Sequence, residues 1–81
     1  MISKPYAPQP GDTLVRALPG EIFIVYAAVT LDFIEGPIWG FPEAMDYARA
    51  QGPQPIWLDQ VDRLGRRQGD AVLLPDIPED R

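Results

Sequence analysis

The segment FPEAMDYARAQGPQP (residues 41–55) contains the helix that the sequence predicts most clearly, and this helix must be short. Pro42 stands in the first helical turn, where proline is favoured, and Gly52 stands where glycine commonly follows a helix. Pro53 forbids any continuation. The pattern therefore predicts a helix over about residues 42–51. A helix of about ten residues is marginal alone, so we expect it to depend on packing against other elements.

One side of this helix is apolar. The spacing i, i+3, i+4, i+7 is occupied by Phe41, Ala44, Met45 and Ala48, and residues at that spacing share one face of an α-helix. The opposite side carries acidic residues near the helix start, where they suit the helix dipole. We therefore expect the apolar side of the helix to cover one face of a sheet.

Two segments before the helix predict a β-hairpin. DTLVRAL (residues 12–18) alternates between two faces, and EIFIVYAAV (residues 21–29) is rich in β-branched and aromatic residues. Pro19 and Gly20 between them are the residues that a type II turn prefers at its centre. Because EIFIVYAAV is apolar on both faces, we expect it to be the central strand of the sheet.

Three more short strands follow, and bends separate the first of them from the hairpin. The strands are IWGF (residues 38–41), PIWLDQV (55–61) and AVLL (71–74), and the bends lie around Asp32 and at residues 35–37. The order β-β-β-α-β-β predicts an α+β fold, in which the helix packs on a small antiparallel sheet of about four or five strands.

Two interpretations of residues 58–68 stay open. Asp62 and Gly65 occupy the first and fourth positions of a turn, as type I turns prefer, which predicts a hairpin after the fourth strand. The apolar residues of the same segment also recur at helical spacing, which would instead predict a second helix.

The length of the chain, 81 residues, allows a single domain. We expect a proline-rich arm over residues 1–11, the α+β domain over residues 12–74, and an acidic, proline-containing tail over residues 75–81. The longest apolar run has eight residues, far short of the roughly 20 that span a bilayer. The start of the chain lacks the apolar core of a secretory signal, so we expect a cytoplasmic protein.

The chain lacks the residues on which several kinds of catalysis depend. It contains no cysteine and no histidine, and Ser3 is its single serine. These residues supply most nucleophiles, most general bases and the commonest zinc ligands. The segment DQVD lacks the dense acidic pattern of a calcium loop. We therefore expect no enzymatic activity, no metal site and no cofactor.

The charge of the chain is acidic and unevenly distributed. Twelve acids oppose seven bases, which gives a formal net charge of −5. An acidic majority argues against a protein that binds nucleic acid through its phosphates, and it favours a basic partner. The four acids of one group lie within fifteen residues that contain no base: Asp32, Glu35, Glu43 and Asp46.

This acidic group has two interpretations. It could steer the protein onto a basic protein surface, with Tyr47 or Trp39 as an aromatic anchor. It could instead be a set of solvated acids that keep a small protein soluble. Trp39 and Trp57 each follow an isoleucine in a predicted strand, so either could also belong to the core.

A second charged group, Arg63, Arg66 and Arg67, suggests a different class of function. Arginine binds phosphate well, so this loop could serve a small nucleic-acid-binding domain with an aromatic sheet face. The simpler interpretation is a charged loop in which these arginines pair with nearby aspartates. A third class is a homo-oligomeric structural domain that pairs through an exposed sheet edge.

The overall profile resembles that of small phage-encoded anti-CRISPR inhibitors. The residues that support the resemblance are the four acids and the helix segment FPEAMDYARAQG beside aromatic strands. Many such inhibitors bind the nucleic-acid-handling surfaces of Cas proteins, and some block a DNA-binding path with a negative patch. The resemblance implies a non-enzymatic inhibitor whose partner is a Cas effector. It rests on size, charge and composition rather than on a motif, so it assigns a role to no particular residue.

Overall fold

The computed structural model describes residues 7–75 as a five-stranded sheet with one helix packed on it. The α+β prediction is thereby confirmed. Residues 1–6 of the predicted arm and residues 76–81 of the predicted tail lie outside the described residues. The elements in chain order are β1 (Thr13–Leu18), β2 (Ile22–Ala27), β3 (Phe33–Trp39), α1 (Phe41–Arg49), β4 (Ile56–Gln60) and β5 (Val72–Leu73).

The sheet is mixed, so the prediction of an antiparallel sheet is wrong for one pair of strands. The strand order is β3-β2-β1-β4-β5, and β1 and β4 are parallel, with Leu14 opposite Trp57 and Arg16 opposite Asp59. The other pairs are antiparallel. The cause is the connection through α1, which crosses the sheet and lets β4 run in the same direction as β3. β1 is therefore the central strand, and the prediction that β2 would be central is also wrong.

β3 begins earlier than the sequence indicated and passes through the predicted bend at residues 35–37. Gly36 and Pro37 lie inside this strand, and its register against β2 is irregular. An edge strand tolerates proline because its outer N–H groups need no partner in the sheet. A Cβ atom on Gly36 would lie 3.1 Å from the Cα atom of Ile24, so glycine also allows the two backbones to approach closely.

α1 covers one face of the sheet over β1, β2 and β3. It begins one residue earlier and ends two residues earlier than predicted, and Gly52 follows it with a φ of 124°. Phe41 lies at its start with its ring 5.6 Å from that of Phe23. No helix within residues 7–75 is long and apolar enough to cross a membrane. The core on this face confirms the predicted apolar side of the helix and comprises Val15, Phe23, Val25, Ile38, Ala44, Met45 and Ala48.

The opposite face of the sheet has a smaller core. Its buried members are Leu14, Ala28 and Trp57, against which Tyr26 and Leu73 pack. Trp57 is 2% exposed, so the core interpretation is correct for this tryptophan.

Residues 58–68 form a hairpin, so the helical alternative for this segment is wrong. The backbone N–H of Gly65 donates to the carbonyl of Asp62, and the N–H of Asp62 donates to the carbonyl of Arg66, both at 2.9 Å. The carboxylate of Asp62 also accepts hydrogen bonds from the N–H groups of Leu64 and Arg66. Gly65 has a φ of 80°, which glycine adopts easily and a helix does not contain.

Candidate interaction surface

Exposed large hydrophobic side chains are concentrated on β3, on the loop before it and on α1. Eight such side chains are exposed in the described part of the chain, and six of them lie between residues 29 and 47. This range contains no lysine or arginine, and the four acids of the predicted partner-binding group are all exposed there. The six hydrophobic residues are Val29, Leu31, Phe33, Trp39, Phe41 and Tyr47.

The outer side of α1 brings together three of the predicted site residues. Glu43, Asp46 and Tyr47 are exposed and stand at i, i+3 and i+4, which makes them neighbours on the helix surface. Asp46 has a loose ion pair with Arg49, with 3.8 Å between Oδ1 and Nη1. We call Glu43, Asp46 and Tyr47 the helix patch. Its placement follows from the burial of the opposite side of α1 against the sheet.

Trp39 is exposed but does not join the helix patch. It is the last residue of β3 and pairs with Ile22, while its neighbour Ile38 is buried under α1. Because successive side chains of a strand point to opposite faces, Trp39 points away from α1. It is 63% exposed, whereas Trp57 in the neighbouring core is buried. The two tryptophans therefore differ in burial, although each follows an isoleucine.

The loop between β2 and β3 holds apolar side chains in a strained backbone. The N–H of Thr30 donates to the carbonyl of Ala28 at 2.8 Å, which makes Val29 the centre of a γ-turn, and Val29 has a φ of 71°. Leu31 also has a positive φ, 61°. Positive φ is a genuine outlier for a β-branched residue, and the γ-turn with positive φ is rare and strained. The side chain of Val29 is 56% exposed, so it recovers little of this cost through burial.

This loop and the start of β3 form a second acidic and apolar patch. Phe33 is exposed and meets the ring of Tyr26 edge-on, with 6.5 Å between ring centres. Asp32 and Glu35 lie beside it in the chain and are exposed. We call Val29, Leu31, Asp32, Phe33 and Glu35 the loop patch. The sequence prediction missed its three apolar members, although large apolar residues around an acid in a predicted bend were a usable signal.

The predicted arginine group lies on the hairpin after β4, and two of its members have acidic neighbours. Nε of Arg66 lies 2.9 Å from Oδ2 of Asp62, and Nε of Arg67 lies 3.7 Å from Oδ2 of Asp59. For Arg63 no ion pair is found within residues 7–75. The pKa of Asp62 is lowered, first by the hydrogen bond from the backbone of Arg66 and then by that from Leu64.

Two polar contacts that the sequence did not reveal stabilise the sheet face opposite α1. Arg16 donates two hydrogen bonds to Asp59, at 2.9 and 3.1 Å, and its guanidinium carbon lies 5.5 Å from the centre of the Tyr26 ring. The hydrogen bond to Asp59 raises the pKa of Arg16, against the opposing effect of burial. Nε1 of Trp57 donates to Oδ2 of Asp12 at 2.9 Å. The members of both contacts are more than forty positions apart in sequence.

The structure offers few features of a small-molecule or metal site. Among residues 7–75, no three acidic, histidine or cysteine side chains lie close enough to hold a metal ion. An open depression of about 350 Å³ lies between the β1–β2 turn and the end of β4. It is lined mainly by apolar residues, among them Leu18, Phe23 and Val61, and Glu21 is its one acid.

Comparison with known protein families, with characterised proteins and with solved structures gives no match for this chain.

Proposed function

We propose that the protein is a non-enzymatic interaction module that binds a basic protein surface through residues 29–47. One observation supports the proposal most. Six of the eight exposed large hydrophobic side chains of the described residues lie in this range, together with four exposed acids and no base. Exposed apolar groups framed by charge are a mark of interaction sites.

The aromatic side chains and the acids contribute to such an interface in different ways. Beside the acids of the helix patch, Tyr47 supplies most of the affinity, because an aromatic side chain buries a large area and loses little side-chain entropy on binding. Trp39 points away from α1, so it would anchor only a partner that reaches the other face of the sheet. The acids mainly raise the association rate by steering the protein towards lysine and arginine on the partner, and they disfavour acidic competitors. The net charge of −5 extends this attraction beyond the contact itself.

Side chains, rather than strand addition, make the contact. β3 is one edge of the sheet, but Gly36 and Pro37 interrupt it, and β5 at the other edge has only two residues. Proline, bulges and short edge strands are devices that prevent a sheet from pairing with another chain. The same features weigh against a homo-oligomer that pairs edge to edge.

The partner class that we propose is a nucleic-acid-handling protein with a basic groove, such as a Cas effector. A groove that binds phosphates is rich in lysine and arginine, which is the chemistry that exposed carboxylates complement. Occupation of that groove by the acids of residues 29–47 would exclude the nucleic acid. The protein would then act as an inhibitor of the anti-CRISPR type.

The test is a pull-down from lysates of the source organism at low and high salt. The baits are the wild-type protein, Glu43→Lys/Asp46→Lys, and the control Glu21→Lys/Asp70→Lys. The control changes exposed acids outside residues 29–47 by the same charge. We expect the wild-type protein and the control to capture a nucleic-acid-binding protein that high salt releases. Equal capture by Glu43→Lys/Asp46→Lys would show that the helix patch is not involved.

A nucleic-acid-binding function of the arginine hairpin is the second candidate. The observation in its favour is that Arg63 and Leu64 are exposed at the end of the hairpin. Against it, Arg66 and Arg67 lie beside carboxylates, which weakens their attraction for phosphate. A gel shift with a single-stranded oligonucleotide at low salt, reduced in Arg63→Ala, would support this candidate. The absence of any shift would eliminate it.

A further inference from the structure

The two ends of the sheet carry complementary chemistry. Thr13 at the start of β1 pairs with Ala27 at the end of β2 and with Ile56 at the start of β4, so the β2–β3 loop lies at this end. At the other end, the N–H of Val61 donates to the carbonyl of Ala17, and the hairpin after β4 continues outward from there. The loop patch and the hairpin therefore project from opposite ends of the molecule.

The loop patch is apolar and negative. It presents the side chains of Val29, Leu31 and Phe33, which are 56%, 42% and 62% exposed. Asp32 and Glu35 are exposed beside them in the chain, and no ion pair of either acid is found within the described range 7–75. The γ-turn fixes the loop backbone, so little conformational entropy is lost when the patch is covered.

The hairpin exposes an apolar side chain and three arginines, of which Arg66 and Arg67 lie beside the carboxylates of Asp62 and Asp59. Leu64 is 75% exposed, the highest value among the exposed large hydrophobic residues of the described chain. Arg63 precedes it, and Arg66 and Arg67 follow it with side chains that are 72% and 54% exposed. We call Arg63, Leu64, Arg66 and Arg67 the hairpin tip.

We propose that the loop patch is a docking site for the hairpin tip of a second copy of this chain. The copies then associate head to tail, with Leu64 of one copy against the apolar side chains of the loop patch on the next. The arginines of the tip face Asp32 and Glu35. A second copy is the occupant because the two surfaces are complementary. The hairpin tip carries arginines beside an exposed leucine, and the loop patch carries acids beside exposed apolar side chains.

A head-to-tail contact of this kind has a definite signature. It uses two different surfaces, so it forms open chains rather than closed dimers unless the rotation between copies closes a ring. The contact joins five residues on one copy to four on the other, far fewer than the roughly 20–30 residues a side of a standard interface, so we expect weak association. Its charged rim makes it sensitive to salt, because exposed charges are screened over a Debye length of about 8–10 Å near physiological ionic strength.

This proposal does not depend on an external partner, although a basic partner at the loop patch would compete with it. The test therefore uses the purified protein alone, in sedimentation velocity experiments over a range of concentrations at low and high salt. We expect the mean mass to rise with concentration at low salt and the association to weaken at least tenfold at high salt. A monomer at all concentrations up to about 1 mM at low salt would overturn the proposal.

Charge exchange identifies the two surfaces. Asp32→Lys/Glu35→Lys makes both ends basic, and Arg63→Glu/Arg66→Glu makes both ends acidic, so neither variant should associate alone. An equimolar mixture should associate, because each end of one variant then complements an end of the other. If the mixture stays monomeric, the association of the wild-type protein comes from another contact and the proposal fails.

A replacement variant and a control variant complete this experiment. Arg63→Glu/Leu64→Glu replaces Arg63→Glu/Arg66→Glu if the latter unfolds, because it leaves the bond between Arg66 and Asp62 intact and should also abolish association alone. Glu21→Lys/Asp70→Lys makes the same charge change as the substitutions at positions 32 and 35, but at exposed acids outside the loop patch and the helix patch, and it should associate at least as strongly as the wild-type protein does. A loss of association in that control would show that the change of net charge, and not the loop patch, abolishes the contact, and would refute the assignment.

Discussion

Replacement of Asp59 by alanine should be among the most destabilising single changes in this protein. The side chain of Asp59 is 2% exposed, and its carboxylate accepts two hydrogen bonds from Arg16 and lies 3.7 Å from Arg67. The Asp59→Ala variant leaves the guanidinium of Arg16 on the sheet face without its acceptor. Loss of one partner of a buried ion pair costs about 3–5 kcal/mol.

The expected loss of unfolding free energy is smaller than this cost for a buried ion pair, because Arg16 is not fully enclosed. Its side chain is 19% exposed and it keeps its contact with the Tyr26 ring. We therefore expect Asp59→Ala to lower the free energy of unfolding by about 2–3 kcal/mol. For a domain of this size that corresponds to a fall of about 10–20 °C in Tm.

The assay is urea denaturation followed by tryptophan fluorescence, with Arg16→Met/Asp59→Leu as the matched variant. This double variant removes both charges and fills the space with apolar groups, so it should recover most of the lost stability. A loss below about 1 kcal/mol in Asp59→Ala would show that the pair behaves as a surface ion pair. A double variant less stable than Asp59→Ala would refute the idea that the unpaired Arg16 causes the loss.

Asp12, Asp62 and Val29 each allow a further test of how single residues affect the stability of the fold. Asp12→Ala should lower the free energy of unfolding by about 1.5–3 kcal/mol and Asp12→Asn by less, because only asparagine keeps an acceptor for Nε1 of Trp57; equal losses in urea denaturation would contradict this. Asp62→Asn should lower the urea midpoint at pH 7, because the lowered pKa of Asp62 stabilises the folded state above the unfolded pKa of this carboxyl group. This contribution is lost as the pH falls through the folded pKa, so the difference from the wild-type protein should shrink as the pH falls below about 4; a difference that stays constant with pH would contradict the lowered pKa. Val29→Gly should leave Tm unchanged or raise it, since glycine relieves the positive φ, whereas Val72→Gly in β5 should lower stability by about 1 kcal/mol; equal losses would show that the loop is not strained.

The parts of the fold that local chemistry determines were predictable from the sequence. Pro42 and Gly52 indicate where α1 begins and ends, because their backbone preferences act within a few residues. Asp62 and Gly65 likewise determined the hairpin, since both act on the backbone of their own turn. The position of β4 beside β1 was not predictable in this way, because it depends on where α1 crosses the sheet.

The candidate surface was predictable only in part, for the same reason. The exposure of Glu43, Asp46 and Tyr47 follows from helical spacing once the apolar side of α1 is known. Trp39 and Trp57 each follow an isoleucine, yet one lies on an edge strand and the other beside the central strand. Strand order is a long-range property, so no local pattern distinguishes the two.

The acids of the described residues fall into two groups, according to whether they contact other polar groups of the protein. Asp12, Asp59 and Asp62 each accept close hydrogen bonds from a tryptophan, an arginine or the backbone of a turn, and all three stabilise the fold. Asp32, Glu35 and Glu43 have no ion pair within residues 7–75, and they belong to the base-free part of the chain that also exposes most of the large hydrophobic side chains. Acids beside exposed aromatic residues also offset the low solubility of those residues. The proposed interface therefore rests on the exposed hydrophobic side chains of this segment, which solubility does not explain.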